Sequence, residues 1–355
     1  MPSIDIGGVE KNFIIISNYL SKKFKNISVI TTSNDKRGSF IKNIKFISYD
    51  KKFIKNFPRR VKFFFALILL FKELFNNRKN IVLCFQANIY CVYLCKLMKT
   101  KVIIRSNSSP TGWSKNIFKN IVYKNAYQAA DSVIVNSIEF AKIMKNKFNI
   151  NSKCIYNPLD KVEILKKSKK KIKFKFFDKK SLNFISVARF ENQKDHHTLL
   201  KAFKDLSNNI NLKLLLIGWG SGEKEIRTFI LENRLSNKIK ILNQITNPFP
   251  FILKSDFFVH SSKFEGLPNV LLESIVLKRY VISSDCPTGP KEILSYGKGG
   301  TLFKTGNHLD LKNKIIELIK NKKDLKKKIT FSFNKLNRFD QNKNLKKYYD
   351  LIDKL

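Results

Sequence analysis

The second half of the chain alternates short apolar runs with longer amphipathic segments. The apolar runs are rich in branched and aromatic side chains, which predicts buried strands. They lie near 183–188, 213–218, 239–242, 257–261, 280–284 and 300–303. The segments between them repeat apolar residues at helical spacing. This alternation predicts a parallel sheet with right-handed crossovers, so we expect residues 181–339 to form one Rossmann-like α/β domain.

The first half shows a similar but less regular rhythm. Val9 to Phe24 has the apolar spacing of a helix, and only Met1 to Ile6 precede the Gly7-Gly8 pair. Any strand ahead of that pair is therefore short. Further strands are predicted at 27–32, 44–49, 81–85, 101–105 and 132–136, with helices at 57–80 and 91–98. Residues 1–160 are thus expected to form another Rossmann-like domain.

Two segments stand apart from this alternation. Residues 161–180 contain ten lysines in twenty positions, which favours a solvated basic linker over a segment that touches lipid headgroups. Residues 340–355 place apolar side chains at helical spacing and predict a final helix. Its apolar positions are Leu345, Tyr348, Tyr349, Ile352 and Leu355.

Charge narrows the choice of partners. The formal net charge is +42 over 355 residues, so the surface attracts anionic membranes, nucleic acids and sugar nucleotides. No signature of a sequence-reading nucleic-acid module is present, so no specific nucleic acid is expected. The predicted helix at 57–80 places basic residues beside an aromatic stripe, which is typical of a helix at a membrane surface. The alternative is an amphipathic helix that packs its stripe on its own sheet.

Cysteine usage and apolar runs bear on the compartment. Five cysteines are scattered, and no histidine lies near Cys91 and Cys95, so neither a zinc site nor a disulfide framework is expected. The longest apolar run, Phe63 to Phe71, is too short to span a bilayer, and no signal segment opens the chain. We expect a cytoplasmic protein that binds peripherally to the inner face of the cell membrane.

The most informative stretch follows the predicted strand at 257–261. Pro268 suits the first position of a helix, so nearby backbone amides would point from the positive end of the helix dipole. Such an end binds phosphate or sugar hydroxyls. Glu265 and Glu273 frame this helix start, either as hydroxyl-binding groups or as a dipole-stabilising residue and a surface residue. Arg105 and Asn107 follow another predicted strand, where ligands of α/β sheets bind.

The spacing from Glu265 to Glu273 resembles the E-x7-E signature of the retaining glycosyltransferases of family 4. This family has the GT-B fold, in which two Rossmann-like domains face a cleft and a C-terminal helix crosses back to the first domain. Further segments that resemble the family's motifs lie in the expected order at 7–11, 157–158, 187–195, 214–220 and 285–294. Relative to this family, the first strand is short or truncated. The resemblance assigns residues 340–355 to the crossover helix.

The resemblance also implies roles for particular residues. Glu265 would bind hydroxyls of a donor sugar and Glu273 those of the ribose, while amides of the helix start would bind the diphosphate. Arg189 and Lys194 would neutralise the leaving diphosphate, where charge grows in the transition state. The predicted catalytic residues are Glu265, Arg189 and Lys194. The donor set adds Gly266, Leu267, Pro268, Asn269, Val270 and Glu273, and the acceptor set is Gly7, Gly8, Arg105 and Asn107.

These expectations define one leading function. The chain would transfer a hexose or N-acetylhexosamine, with retention, from a UDP- or GDP-linked donor to a glycan or lipid-linked acceptor. The reaction would serve cell-surface polysaccharide synthesis, including lipopolysaccharide, and would need neither a metal nor another cofactor. One alternative is a sugar-nucleotide epimerase of similar fold. The other is a non-catalytic protein that binds sugar nucleotides or membranes.

Overall fold

The computed structural model describes residues 1–4, 7–32, 35–49, 54, 57–107, 116–243, 245–321 and 323–355. The chain divides into two compact units. The first unit is Met1–Pro158 together with Gln341–Leu355, and the second unit is Leu159–Asp340. None of the helices in the described ranges combines the length and the apolarity that crossing a bilayer requires.

The first unit has short parallel strands with helices between them. Its described strands are β1 (Ser28–Ile30), β2 (Lys45–Ile47), β3 (Val82–Cys84), β4 (Val102–Arg105), β5 (Ser132–Val135) and β6 (Lys153–Cys154). Strands β1 and β2 pair in parallel, and β3 to β6 form a separate parallel sheet in sequence order. The helices are α1 (Gly8–Leu20), α2 (Arg59–Asn76), α3 (Asn88–Leu97), α4 (Ile117–Ala129) and α5 (Ile138–Phe148).

The short first strand expected ahead of α1 stays a prediction. Residues 1–4 contain no strand, and residues 5–6 lie outside the described part of the chain. A cavity of about 860 Å³ is lined by side chains of α1 and α2 and by residues of β1 and β3.

The second unit is a six-stranded parallel sheet with order β12-β11-β10-β7-β8-β9 among the described residues. Its strands are β7 (Leu182–Val187), β8 (Leu212–Ile217), β9 (Ile239–Leu242), β10 (Phe257–His260), β11 (Tyr280–Ser284) and β12 (Thr301–Phe303). The helices are α6 (Lys161–Ser168), α7 (His196–Ser207), α8 (Glu223–Glu232), α9 (Phe249–Lys254), α10 (Asn269–Val276), α11 (Pro290–Ile293), α12 (His308–Lys320) and α13 (Lys323–Asn334). The predicted strands of this domain agree with the observed ones to within one residue at each end.

The core of the second unit explains why its strands were readable from sequence. Phe184, Leu214 and Val259 lie in one buried cluster with Leu199 and Phe203 of α7. A parallel sheet that is covered on both faces needs continuous apolar strands rather than alternating ones. The runs of the second half have that composition, and the α/β class is confirmed.

The final helix, α14 (Gln341–Asp353), belongs to the first unit. Leu345, Tyr348 and Leu351 are buried in one core cluster with Phe13 and Ile16 of α1. The chain therefore passes from the first unit into the second and returns to the first. This agrees with the expected fold, in which a C-terminal helix crosses back to the first domain. The first unit is therefore assembled from two separated pieces of sequence, and the second piece contains a single helix.

The linker interpretation of residues 161–180 needs a correction. Residues Lys161–Ser168 form α6, and Ile164 is only 2% exposed. The Asp160 side chain caps the helix by accepting a bond from the Glu163 amide at 2.8 Å, and α6 packs on α9 and α10. Lysines dominate the composition, but one buried isoleucine and a carboxylate cap are enough to fix a short helix on a neighbouring surface.

Candidate functional site

Three loops of the second unit meet at one edge of its sheet. Residues 188–195 follow β7, residues 261–268 follow β10, and residues 285–289 follow β11. These strands are neighbours in the order β11-β10-β7, so their carboxyl ends lie side by side. Ligands of open parallel sheets bind at such edges.

Hydrogen bonds join the first two loops. Ser261 Oγ donates to the Lys194 carbonyl at 2.8 Å, and the Lys263 amide donates to the Gln193 carbonyl at 2.8 Å. Gln193 Nε2 donates to the Phe264 carbonyl at 2.8 Å. These bonds fix the loop that carries Lys194 beside the loop that leads to Glu265.

The third loop packs tightly against the Glu265 turn. Thr288 Oγ1 donates to the Glu265 carbonyl at 2.5 Å. Gly289 has φ +66°, and a Cβ atom placed there would lie 2.2 Å from the Gly266 carbonyl oxygen. Glycine is therefore required at 289 both for its backbone conformation and for the close approach of the two loops.

A buried charged cluster occupies the centre of this edge. Lys194 Nζ lies 2.5 Å from Glu265 Oε1, and His260 Nε2 lies 3.0 Å from the same oxygen. The Glu265 residue is 7% exposed and His260 is buried at the end of β10. The structure thus brings together Lys194 and Glu265, which are 71 positions apart in sequence.

The electrostatics of the cluster keep Glu265 ionised. Burial alone would raise the pKa of its carboxyl group, but the positive charge of Lys194 and the hydrogen bond from His260 outweigh burial. The net effect holds the pKa of Glu265 well below its usual range. A permanent carboxylate therefore faces this edge of the sheet at neutral pH.

Two other buried groups nearby stay neutral. Burial, followed by the charges of His260 and Lys194, lowers the pKa of His196 to about 4. Burial, followed by the charge of Glu265, raises the pKa of the Cys286 thiol to about 12. Neither group carries charge at neutral pH, so Cys286 is a poor nucleophile there.

Helix α10 begins beside Glu265. The helix starts at Asn269, and Pro268 is its extended N-cap rather than its first residue, one position from the prediction. Gly266 and Val270 flank this start, where the helix dipole is positive. Glu273 lies on the same helix and is 6% exposed, so the alternative that it is a surface side chain is wrong.

Arg189 takes a different position from Lys194. Its side chain is 49% exposed, and NH1 lies 2.9 Å from Glu191 Oε1. The loop that carries it is supported by Gly218, where a Cβ atom would lie 2.0 Å from the Ala188 carbonyl oxygen. Gly218, which follows β8, therefore allows the two backbones to pack closely. The convergence of Arg189 and Lys194 on one diphosphate stays a prediction.

The prediction that Arg105 faces an open cleft is wrong. Its side chain is fully buried in the first unit, with Nε donating to the Tyr348 hydroxyl at 2.8 Å. NH2 donates to Asn157 Oδ1 at 2.5 Å, and the guanidinium lies over the Phe85 ring at 5.6 Å. Burial under α14 explains the error, because Tyr348 is distant in sequence.

The other acceptor-side candidates also belong to the first unit. Asn107 Nδ2 donates to the Phe85 carbonyl at 2.8 Å, and its buried Oδ1 has no hydrogen-bond partner among the residues that the structure describes. Gly7 precedes α1 in an extended conformation, and Gly8 is the first residue of that helix. Both glycines are exposed, so their backbone is open to solvent.

Sequence reasoning missed His260, Thr288 and Cys286 as neighbours of Glu265. His260 ends a buried strand, and the rule that singled out Arg105 would also have found it. The Thr288 bond to Glu265 and the nearness of Cys286 to the Glu265 charge depend on how β11 lies beside β10, which no local pattern shows. Among the described residues, no group of three or more His, Cys, Asp or Glu side chains is arranged to hold a metal ion.

The sequence matches the family model "Glycosyl transferases group 1" over residues 167–353. A Campylobacter jejuni N-acetylgalactosaminyltransferase that acts on a diphospho-undecaprenol-linked sugar is 31% identical over 59% of this chain and 58% of its own length. A glycosyltransferase from Methanocaldococcus jannaschii is 32% identical over 58% of this chain and 56% of its own length. These matches span less than two thirds of each relative.

Solved structures show the same fold over the whole chain. HepE from Anabaena, in complex with UDP, superposes with TM-score 0.77 at 16% identity and covers 100% of this chain and 98% of its own. A glycosyltransferase from Rickettsia africae superposes with TM-score 0.78 at 17% identity and covers 99% and 96%. At these identities the likeness establishes the GT-B architecture.

Proposed function

Because the chain belongs to the glycosyl transferases group 1 family, we propose that it transfers a sugar from a nucleoside-diphosphate donor to a glycan or lipid-linked acceptor. The observation that carries this proposal is the partly buried ion pair of Lys194 with the buried Glu265 at the carboxyl edge of the second sheet, beside the start of α10. A cation, a carboxylate and a helix N-terminus are the groups that a sugar diphosphate needs.

The proposed transfer is a displacement in which the acceptor attacks the same face of the sugar that the diphosphate leaves, without a protein nucleophile, so the anomeric configuration is retained. The acceptor hydroxyl oxygen bonds to the anomeric carbon while the bond from that carbon to the diphosphate oxygen breaks. The diphosphate keeps the electron pair and takes the acceptor proton. Lys194, Arg189 and the N-terminal end of α10 stabilise the charge that grows on the diphosphate, so neither a metal nor a cofactor is part of the proposal.

Glu265 is proposed to serve the sugar rather than the phosphate. Its pKa is held below the usual range, so the carboxylate is available to accept hydrogen bonds from sugar hydroxyls and to face the positive charge that develops on the ring. Glu273, buried on α10, is proposed to accept bonds from the ribose hydroxyls. Gly266, Leu267, Pro268, Asn269 and Val270 would line the diphosphate.

The relatives support the substrate classes. The Campylobacter jejuni enzyme is named for transfer of N-acetylgalactosamine to an undecaprenol-linked acceptor, which supports a hexose or N-acetylhexosamine and a lipid-linked acceptor here. The Anabaena structure holds UDP, which favours a uridine donor. We propose a role in cell-surface polysaccharide synthesis on the cytoplasmic side of the membrane, with Gly7, Gly8 and Asn107 on the acceptor side.

The decisive test is a panel of sugar nucleotides scored for diphosphate release, with and without lipid-linked acceptors, in the presence of EDTA. Transfer to an acceptor with release of the nucleoside diphosphate is expected for one donor, with the anomeric configuration retained. An epimerised donor without acceptor consumption would instead establish an epimerase. Binding of donors without turnover under all conditions would contradict transfer.

Two substitutions probe the cations. Arg189→Ala and Lys194→Ala should each lower the transfer rate about 10- to 150-fold, because hydrogen bonds to charged groups are worth about 1.5–3 kcal/mol. Lys263→Ala, on the same loop cluster but bonded to Asn192, is a matched lysine control. Wild-type turnover in a folded Arg189 or Lys194 variant would remove that residue from the site.

A further inference from the structure

Exposed apolar side chains are concentrated on three consecutive helices of the first unit. Of seventeen exposed large hydrophobic residues in the described chain, ten lie on α2, α3 and α4. They are Val61, Phe64, Phe71, Phe75, Tyr90, Tyr93, Leu97, Phe118, Ile121 and Val122. We call these ten residues the three-helix face. Single exposed apolar residues are ordinary, but a group of this size on adjacent elements marks an interaction surface.

Helix α2 has two apolar faces instead of one. Ala66, Leu70 and Leu74 recur every four residues and are buried against the first unit. Phe64 and Phe75 point elsewhere and are 63% and 66% exposed. A helix that only covers its own sheet would present polar side chains on its outer side, so the outer aromatics have another purpose.

The three helices that carry these apolar residues are neighbours in the first unit. The rings of Phe63 on α2 and Tyr90 on α3 have centroids 6.3 Å apart, and α3 packs along α4. Tyr90, Tyr93 and Leu97 follow helical spacing on α3, so they share one side of that helix. The face therefore extends from α2 across α3 to α4.

The charged residues on the three helices are almost all basic. Across α2, α3 and α4 the sequence holds a single acidic residue, Glu73, and its carboxylate pairs with Lys45 at 3.0 Å. Exposed lysines flank the apolar residues, including Lys72 on α2 with Lys119 and Lys124 on α4. Aromatic and aliphatic side chains within a basic surround match an anionic bilayer surface, with apolar groups among the acyl chains and lysines at the headgroups.

We propose that the three-helix face inserts into the headgroup region of an anionic lipid bilayer. This inference goes beyond sugar transfer, and beyond the expectation from the basic segment at 57–80, because it adds α3 and α4 and assigns the binding to inserted apolar side chains. A second copy of the chain is a poorer occupant. Two copies of the face would bring lysines of the same charge together, and these would repel each other. Anionic lipid headgroups instead neutralise the positive charge around the face.

The test is vesicle flotation of the full chain with phosphatidylglycerol-rich and with pure phosphatidylcholine vesicles. The wild-type chain should bind the anionic vesicles and bind the neutral ones weakly. The triple variant Phe64→Ser/Phe71→Ser/Phe75→Ser should lose about tenfold or more in affinity, because the serines no longer enter the apolar region. The variant Lys72→Gln/Lys119→Gln/Lys124→Gln should bind less tightly at low salt.

The matched control replaces exposed apolar side chains by serine on the second unit instead of the first. Leu231→Ser/Leu253→Ser/Leu309→Ser removes three exposed apolar side chains of the second unit and should bind vesicles as the wild type does. Circular dichroism and nucleoside-diphosphate binding confirm that each variant is folded. Equal loss in both triple variants, or none in either, overturns the proposal. A wild-type dimer that the phenylalanine variant disperses, with no vesicle binding, assigns the face to a second copy instead.

The experiment also separates docking from catalysis. A water-soluble acceptor should be glycosylated at the same rate by the wild type and by the phenylalanine variant, since none of these residues lies among the donor-binding residues. Vesicle binding without any transfer would leave the docking face in place and remove the proposed reaction. Transfer without vesicle binding would do the reverse.

Discussion

At the scale of single residues, Glu265 and Glu273 are both buried carboxylates but have different surroundings. Glu265 contacts Lys194 and His260, and Glu273 lies in the second turn of α10. Glu265→Gln should lower kcat about 10- to 150-fold, because contacts to the sugar tighten as the ring flattens. Glu273→Gln should mainly raise the KM for the donor and weaken binding of the free nucleoside diphosphate.

The measurement is donor KM, kcat and nucleoside-diphosphate affinity for both folded variants. Normal diphosphate binding by Glu273→Gln together with its loss in Glu265→Gln would reverse the assignment. If both variants match the wild type, the two glutamates are structural.

His196 should make stability depend on pH. In the folded chain its pKa is about 4, and in the unfolded chain about 6.5. Between these values the unfolded state binds the extra proton, so stability rises with pH and falls on acidification. From pH 7 to pH 5 the wild type should lose about 2 kcal/mol from this site alone.

Urea unfolding at the two pH values measures the effect. His196→Leu should show a smaller difference between pH 7 and pH 5 than the wild type. His197→Leu, at an exposed neighbouring position, controls for the replacement of a histidine on α7. An unchanged difference in His196→Leu would contradict the assignment.

Some of these residues were predictable and others were not. Glu265, Glu273 and Lys194 lie in motifs whose spacing is readable along the chain. Thr288 and the Lys194–Glu265 contact depend on strand order, which joins positions far apart in sequence. The prediction for Arg105 was wrong because its hydrogen-bond partner, Tyr348, is 243 positions away in sequence. Local patterns place a residue at the end of a strand, but they do not show what covers it.

At the scale of elements, α14 contributes a buried polar contact to the first unit inside an apolar surface, where the Tyr348 hydroxyl accepts a hydrogen bond from Arg105 Nε–H. Tyr348→Phe should destabilise the first unit by about 1.5–3 kcal/mol, because the buried Arg105 Nε–H loses its acceptor. Hydrogen exchange of the β4 and β5 amides reports this loss directly. Tyr296→Phe, at an exposed tyrosine of the second unit, is the control. A change below about 0.5 kcal/mol would mean that the guanidinium finds another partner.

The observed bounds of helices and strands follow the apolar pattern of the sequence, except where many charged residues hide that pattern. The strands of the second unit were predictable because both faces of its sheet are covered, which leaves long apolar runs. Helix α6 was missed because lysines dominate the composition of residues 161–180. Their number predicted a solvated linker and hid the few apolar positions that pack against the second unit. Its cap and its packing on α9 fix it instead.

At the scale of the whole molecule, the second unit is an insertion between residues 158 and 341 of the first. Its core cluster and all the proposed donor-binding residues lie inside Leu159–Asp340. Residues 159–340 expressed alone should therefore unfold cooperatively and bind the nucleoside diphosphate, yet fail to bind anionic vesicles. Circular dichroism, calorimetric titration and flotation check the three statements. An unfolded fragment would show that the insertion depends on its host.

The return of α14 also orders the synthesis of the protein. Domains fold as the chain leaves the ribosome, earlier segments first. Here most of the first unit precedes the second in sequence, but its core lacks Leu345, Tyr348 and Leu351 until those residues have been synthesised. The second unit is complete earlier, once residue 340 has left the exit tunnel. A chain that ends at residue 340 and has been released from the ribosome would thus carry a finished donor-binding unit, while Arg105 of its unfinished first unit would lack the tyrosine hydroxyl.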